Sequence, residues 1–106
     1  MQRRYYANVS AASNSTNDYT IPNGDRLVIT KIIGNASASC CAKCELIWDA
    51  TGTPEILMST HGDTLHEFKD GLELIGDGSK VLRIKLTNDS DTSETMGVYY
   101  EGILYG

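Results

Sequence analysis

A chain of 106 residues with 41% hydrophobic and 22% charged positions is large enough for a core of its own and too ordinary in composition for a disordered segment. Its net charge of −5 works against a nucleic-acid or anionic-lipid surface, and Arg3-Arg4, the only basic pair, is too little for a phosphate-tracking stripe. No apolar run reaches the roughly 20 residues of a membrane helix. The opening MQRRYYANVS lacks the apolar stretch of a secretory signal, so the expectation is no membrane insertion and no signal peptide.

Residues 2 to 9 (QRRYYANV) read as a first strand, with Tyr5, Ala7 and Val9 on one face. The small polar run SAASNSTND that follows cannot bury apolar surface and reads as a loop. Tyr19 to Pro22 is extended, because Pro22 restricts the residue before it, and Asn23-Gly24 is a turn. Arg26 to Ile33 (RLVITKII) is nearly continuous in β-branched and apolar residues, which suits a central strand. Gly34 to Ser39 is either a bulged continuation or a loop.

In CCAKCELIWD the set Cys40, Ala42, Cys44, Leu46 and Trp48 is apolar, while Cys41, Lys43, Glu45, Ile47 and Asp49 is mostly charged. Such alternation marks a half-buried strand, and Glu55 to Ser59 returns from it as a hairpin. His61-Gly62-Asp63 turns, Thr64 to Phe68 is a short strand, and Lys69-Asp70-Gly71 turns again. Leu72 to Ile75 enters a hairpin through Gly76-Asp77-Gly78, whose Asp-Gly pair suits a tight connection. From Lys80 to Thr87 the period is clearest: Leu82, Ile84 and Leu86 point one way, and Val81, Arg83, Lys85 and Thr87 the other. Asn88 to Glu94 is a polar loop, and Thr95 to Tyr105 the last strand.

Roughly seven to nine strands with frequent turn signals, and no capped 3.6-period segment, predict an all-β chain. The expectation is one antiparallel β-sandwich over residues 1–106, jelly-roll-like because of the long returns between strands.

Few residues argue for chemistry. Three cysteines, Cys40, Cys41 and Cys44, do not describe a disulfide framework, and reduced thiols are the simpler reading. Cys41-x-x-Cys44 could hold zinc or exchange disulfides, but it lacks a second such pair and a helix N-terminus. In a strand its two thiols face opposite ways. His61 and His66, beside Asp63 and Glu67, could form a base and its orienter, yet no nucleophile motif accompanies them. Asp77-Gly78 and Asn88-Asp89-Ser90-Asp91 carry oxygen ligands that suit Ca²⁺, and equally they are ordinary turn formers. The N-x-S/T triplets at Asn8, Asn14, Asn35 and Asn88 are glycan acceptors only in a eukaryotic secretory protein. The expectation is therefore no catalytic, metal or cofactor residue, and no enzyme. A metal-bearing barrel enzyme would need more histidines than these two.

The last strand is unusual. Met96, Val98, Tyr100, Gly102 and Leu104 make one face; Tyr99, Ile103 and Tyr105 share the other with Thr95, Gly97 and Glu101. Either the strand is central and covered, or Tyr99, Ile103 and Tyr105 are a candidate subunit contact, tyrosine being common where a surface meets a partner. Tyr5, Tyr6 and Tyr19 are the candidate ligand contacts, since exposed aromatics can stack on sugar rings; Trp48, on the apolar side of its strand, reads as core.

GDGSKVLRIKLTNDSD followed by TMGVYYEGIL, together with the earlier YTIPNGDRLVITKI, resembles the strands of small jelly-roll modules of phage and other virion surface proteins. The resemblance runs from Tyr19 onward and rests on strand-and-turn texture, so it carries over no functional residue. It implies a particle-borne module, commonly trimeric, built to adhere or to decorate. The resulting expectation is a non-enzymatic virion structural or receptor-binding protein. It would act as a homo-oligomer, a trimer by preference, with a glycan or host receptor as partner. It would be located in the virion or in the cytoplasm of the producing cell. The alternative is a stand-alone carbohydrate-binding module.

Overall fold

The computed structural model describes residues 1–37 and 41–106. Among them eight strands form and no helix: β1 (Gln2–Val9), β2 (Ser13–Thr20), β3 (Arg26–Asn35), β4 (Ala42–Trp48), β5 (Glu55–Thr60), β6 (Thr64–Ile75), β7 (Val81–Asn88) and β8 (Glu94–Tyr105). They make two four-stranded antiparallel sheets, in the orders β1-β8-β3-β6 and β2-β7-β4-β5. The pairing is nested. β4 pairs with β5, β3 with β6, β2 with β7 and β1 with β8, as in one long hairpin. Two further pairings, β3 with β8 and β4 with β7, roll that hairpin into a sandwich. This is the jelly-roll arrangement, and it leaves edges only at β1, β6, β2 and β5.

The core is what period-2 reading predicts. Leu82, Ile84 and Leu86 of β7, Ala42, Cys44, Leu46 and Trp48 of β4, and Met96, Val98 and Tyr100 of β8 are buried between the sheets with Leu27, Ile29 and Ile32 of β3. Each large apolar side chain so placed contributes about 1.5–3 kcal/mol relative to exposure.

Three expectations are corrected. The run SAASNSTND is not a loop throughout: β2 begins at Ser13 and pairs in register with β7 from Ser13–Asn88 to Thr20–Val81. Its inward set, Ser13, Ser15, Asn17 and Tyr19, is polar because its neighbours on β1 are polar. Arg3 Nη2 donates to Asn17 Oδ1 at 2.9 Å, the guanidinium lies 4.9 Å from the Tyr19 ring centre, and the Tyr5 and Ser15 hydroxyls share a hydrogen bond. Hydrogen bonds thus take up most of these inward polar groups, Arg3 Nε being the exception, buried without a hydrogen-bond partner among the described residues.

Lys69-Asp70-Gly71 is not a turn between strands but an irregularity within β6. Ile29 pairs with Leu72 and Lys31 with Glu67, so the extra β6 residues bulge out, and Gly71 takes a φ of +78° to allow it. Nor does Gly76-Asp77-Gly78 close a hairpin. β6 belongs to one sheet and β7 to the other, and the segment crosses between them. Gly34 to Asn35 proves to be a continuation of β3; residues 38 and 39 of that expectation lie outside the described residues.

Candidate binding face

Register places every outward side chain of the β1-β8-β3-β6 sheet in rows across the strands. At one end Tyr105 stands beside Arg26 and Ile75, and the next row is Ile103, Val28 and Glu73. The middle row is charged: Gln2, Glu101, Lys31 and Glu67. Beyond it come Arg4, Tyr99, Ile33 and Leu65, then Tyr6, Gly97 and Asn35. Two partly apolar bands thus flank a charged stripe.

The end band is exposed: Ile75 62%, Ile103 52% and Tyr105 41%. Arg26 lies over the Tyr105 ring, 4.5 Å from its centre, and pairs with Glu73 at 2.6 Å. The outward face of the other sheet differs. Its rows are Asn14, Thr87 and Lys43; Thr16, Lys85, Glu45 and Ser59; and Asp18, Arg83, Ile47 and Ile56. Lys43 sits 3.6 Å from Glu45 and Arg83 2.8 Å from Asp18. Among the described residues that face is mostly polar and charged, with two ion pairs, and its one exposed large apolar side chain is Ile56 on the β5 edge beside Ile47.

The charged stripe is internally satisfied. Tyr99 Oη donates to Glu101 Oε2, Lys31 Nζ lies 3.6 Å from Glu101 Oε1, and Thr30 Oγ1 donates to the Glu101 carbonyl at 3.3 Å. The Tyr99 bond and Lys31 hold the Glu101 carboxyl below its ordinary range; the same bond raises the Tyr99 phenol. A shallow hollow lined by Thr30, Lys31, Glu67, Phe68, Lys69 and Glu101 sits beside the bulge.

A second hollow, of about 600 Å³, is lined by Gln2, Arg4, Tyr6, Ile33, Asn35 and Tyr99. Its organiser is Tyr6. A Cβ added to Gly97 would lie 2.3 to 2.7 Å from Tyr6 ring atoms, so the ring rests on the backbone of β8 where any other residue would displace it. Tyr6 Oη donates to Asn35 Oδ1, and Asn35 Nδ2 donates to Asp63 Oδ1 at 3.2 Å. Burial against the sheet raises the Tyr6 phenol, with Arg4 pulling the other way. The Arg4 guanidinium stands 5.8 Å from the Tyr6 ring centre.

The predicted site residues therefore separate. Ile103 and Tyr105 share the exposed end band, while half-buried Tyr99 lies across the charged stripe in the second hollow. Tyr6 is in that hollow too. Tyr5 and Tyr19 are not; both are half-buried and point between the sheets, toward Ser15 and Arg3. Trp48 is core. Gly97, Asn35 and Arg4 were not legible as site residues, because their meaning depends on cross-strand register.

Elsewhere polar groups are occupied by the fold. His61 Nδ1 lies 2.9 Å from the Ala42 carbonyl, to which it donates, and His66 is exposed on β6. Asp77 Oδ1 accepts from the backbone N–H groups of Ser79 and Lys80 at 2.9 and 2.8 Å, which hold its carboxyl below the ordinary range. Asn88, fully buried, binds the loop that follows it and the Val9 carbonyl at the end of β1. No group of three or more His, Cys, Asp or Glu side chains gathers among the described residues. Cys41 is disulfide-bonded, which corrects the expectation of reduced thiols there; Cys44 is a free, buried thiol, so the two do not form a C-x-x-C pair. Cys40 lies outside the described residues. No helix among the described residues is long and apolar enough to cross a membrane.

No protein-family model and no curated protein matches the sequence. Among the solved chains similar in structure is one from "Structure of infectious bursal disease virus Gx strain", at 11% identity and a TM-score of 0.31. The match covers 99% of this chain and 32% of the viral one, so this chain spans about a third of that chain's length.

Proposed function

We propose that this chain is a non-enzymatic structural or adhesion module of a virion that works as a homo-oligomer, a trimer by preference, and that the end band of the β1-β8-β3-β6 sheet is its subunit contact. The observation that carries the reading is the contrast between the two outward faces. One is mostly polar and charged, with Ile56 exposed at its β5 edge; the other gathers Ile75, Ile103 and Tyr105, all exposed, around Val28 and the Arg26–Glu73 pair in register. A cluster of exposed large apolar side chains on a small acidic sandwich marks an interaction surface, and self-association is the commonest way to cover one. The virion context rests on the jelly-roll pairing, which capsid proteins share with lectins and cupins, and on the strand-and-turn pattern from Tyr19 onward.

Light scattering on the purified chain tests this, with Ile103→Asp and Tyr105→Asp beside it. The expected result is a reductant-insensitive oligomer that either substitution converts to a folded monomer. A monomeric wild-type chain at high micromolar concentration, or an oligomer indifferent to both substitutions, overturns it.

A further inference from the structure

The second hollow is built more rigidly than a solvated surface requires. Tyr6 is held at two points: its ring lies on the Gly97 backbone and its hydroxyl is bound by Asn35, which is fixed in turn by Asp63. One ring face is covered by the sheet, the Arg4 guanidinium stands over the ring 5.8 Å from its centre, and the residue as a whole is exposed. An aromatic platform locked in this way loses little freedom when something stacks on it. Beside it stands Arg4, in register with Tyr99. None of the ion pairs among the described residues uses Arg4, so its guanidinium fork is open to a planar anion. Gln2 and Asn35 add amide groups at the rim, and Ile33 an apolar floor. An apolar base with a few convergent polar groups is the make-up of a small-molecule site.

We propose that this hollow binds a pyranose bearing a carboxylate, the sugar ring stacking on Tyr6 and the carboxylate lying against Arg4. An apolar ring face, several hydroxyls and one negative charge match, in order, the platform, the amides and the free guanidinium. This inference rests on the adhesion reading of the same sheet and names the ligand class. It does not need the oligomer, because Ile103 and Tyr105 lie beyond the charged stripe.

The test is an amide-shift titration of the intact chain with methyl galacturonide, methyl galactoside and N-acetyl-aspartate amide in parallel. The galacturonide is expected to move the amides of Arg4, Tyr6, Asn35 and Tyr99 saturably. The galactoside, which lacks only the charge, is expected to bind about tenfold more weakly, the loss usual for one charge-assisted contact. Arg4→Gln should erase that tenfold preference, and Tyr6→Ala should weaken both sugars. Ile103→Asp should change neither, which separates failure of this inference from failure of the oligomer. No saturable shift with the galacturonide overturns the proposal, as does equal response to the aspartate derivative or a response confined to other strands.

Discussion

Asp18 and Arg83 stand opposite one another in register on β2 and β7 and share two hydrogen bonds of 2.8 Å, from Nε to Oδ1 and from Nη2 to Oδ2. The pair fastens an edge strand with little apolar material of its own. The Arg83 bonds hold the Asp18 carboxyl below its ordinary 3.8. The folded state thus releases that proton more readily than the unfolded chain, and the stabilisation is present above pH 3.8 and lost as pH falls through the lowered value. With both side chains partly in water the pair is worth about 0.2–1 kcal/mol. Urea unfolding at pH 7 and pH 3 checks it: Asp18→Asn should lower the pH 7 midpoint and shrink the gap between the two conditions.

Asn88 is fully buried at the start of the last loop. Its amide donates to the carbonyls of Val9 at 2.9 Å and Thr92 at 2.7 Å, and its oxygen accepts from the Ser90 backbone at 3.0 Å and the Ser90 hydroxyl at 2.6 Å. Asn88→Ala strips partners from several buried groups at once, at about 2–4 kcal/mol. Asn88→Asp, similar in shape but without the donors, should be at least as damaging at neutral pH. Denaturant midpoints of both variants decide this; a loss below 1 kcal/mol in Asn88→Ala would refute the organising role.

Burial raises the Cys44 thiol from 9.0 to about 11. A thiol that stays protonated and covered is a poor nucleophile, so iodoacetamide should leave Cys44 unmodified in the folded chain at pH 8 and modify it in denaturant, as mass mapping would show. The sign for stability follows from the raised value. The contribution is complete below pH 9 and lost as pH rises toward 11, so unfolding midpoints should fall over that interval and Cys44→Ala should fall less.

Gly97 is expected to be intolerant for a reason outside its own strand. A Cβ there enters the Tyr6 ring, so Gly97→Ala should tilt the ring off the sheet and break its bond to Asn35. Overpacking of this sort costs about 1–3 kcal/mol. The diagnostic is coupling: in the Tyr6→Ala background the Gly97→Ala cost should largely disappear, and if the two penalties simply add, the ring does not rest where described.

Strands whose inward set is apolar were legible from the sequence alone. β7 and β4 each alternate in a way only a half-buried strand explains, Leu82, Ile84 and Leu86 are as deeply buried as expected, and β8 was legible as a strand though apolar on both faces. β2 was not legible, because Ser13, Ser15, Asn17 and Tyr19 face Arg3 and Tyr5, and polar alternation looks like a loop when its partners are unknown. β6 read as two pieces for a related reason. Gly71 supplies positive φ to a bulge or to a turn alike, and only pairing with β3 separates them. The crossing from β6 to β7 escaped too, since Asp-Gly describes a local bend and not the sheet its flanks join. The same limit governs the binding face. Period-2 reading grouped Tyr99, Ile103 and Tyr105 on one side correctly, but not the Glu101–Lys31 stripe that divides them, nor the Gly97 that seats Tyr6 from a strand more than eighty residues away.

The nested pairing also sets an order in time. Only β4 and β5 are close in sequence, so their hairpin closes the smallest loop, and every further pair joins segments successively farther apart. Assembly is expected to run outward from the Asp49 turn, with β1 against β8 last. A topology so rich in distant contacts folds slowly, and in a chain emerging from a ribosome β1 must wait unpaired until β8 has been made. That pairing, from Gln2 opposite Glu101 to Val9 opposite Glu94, is the last to close and the first to open.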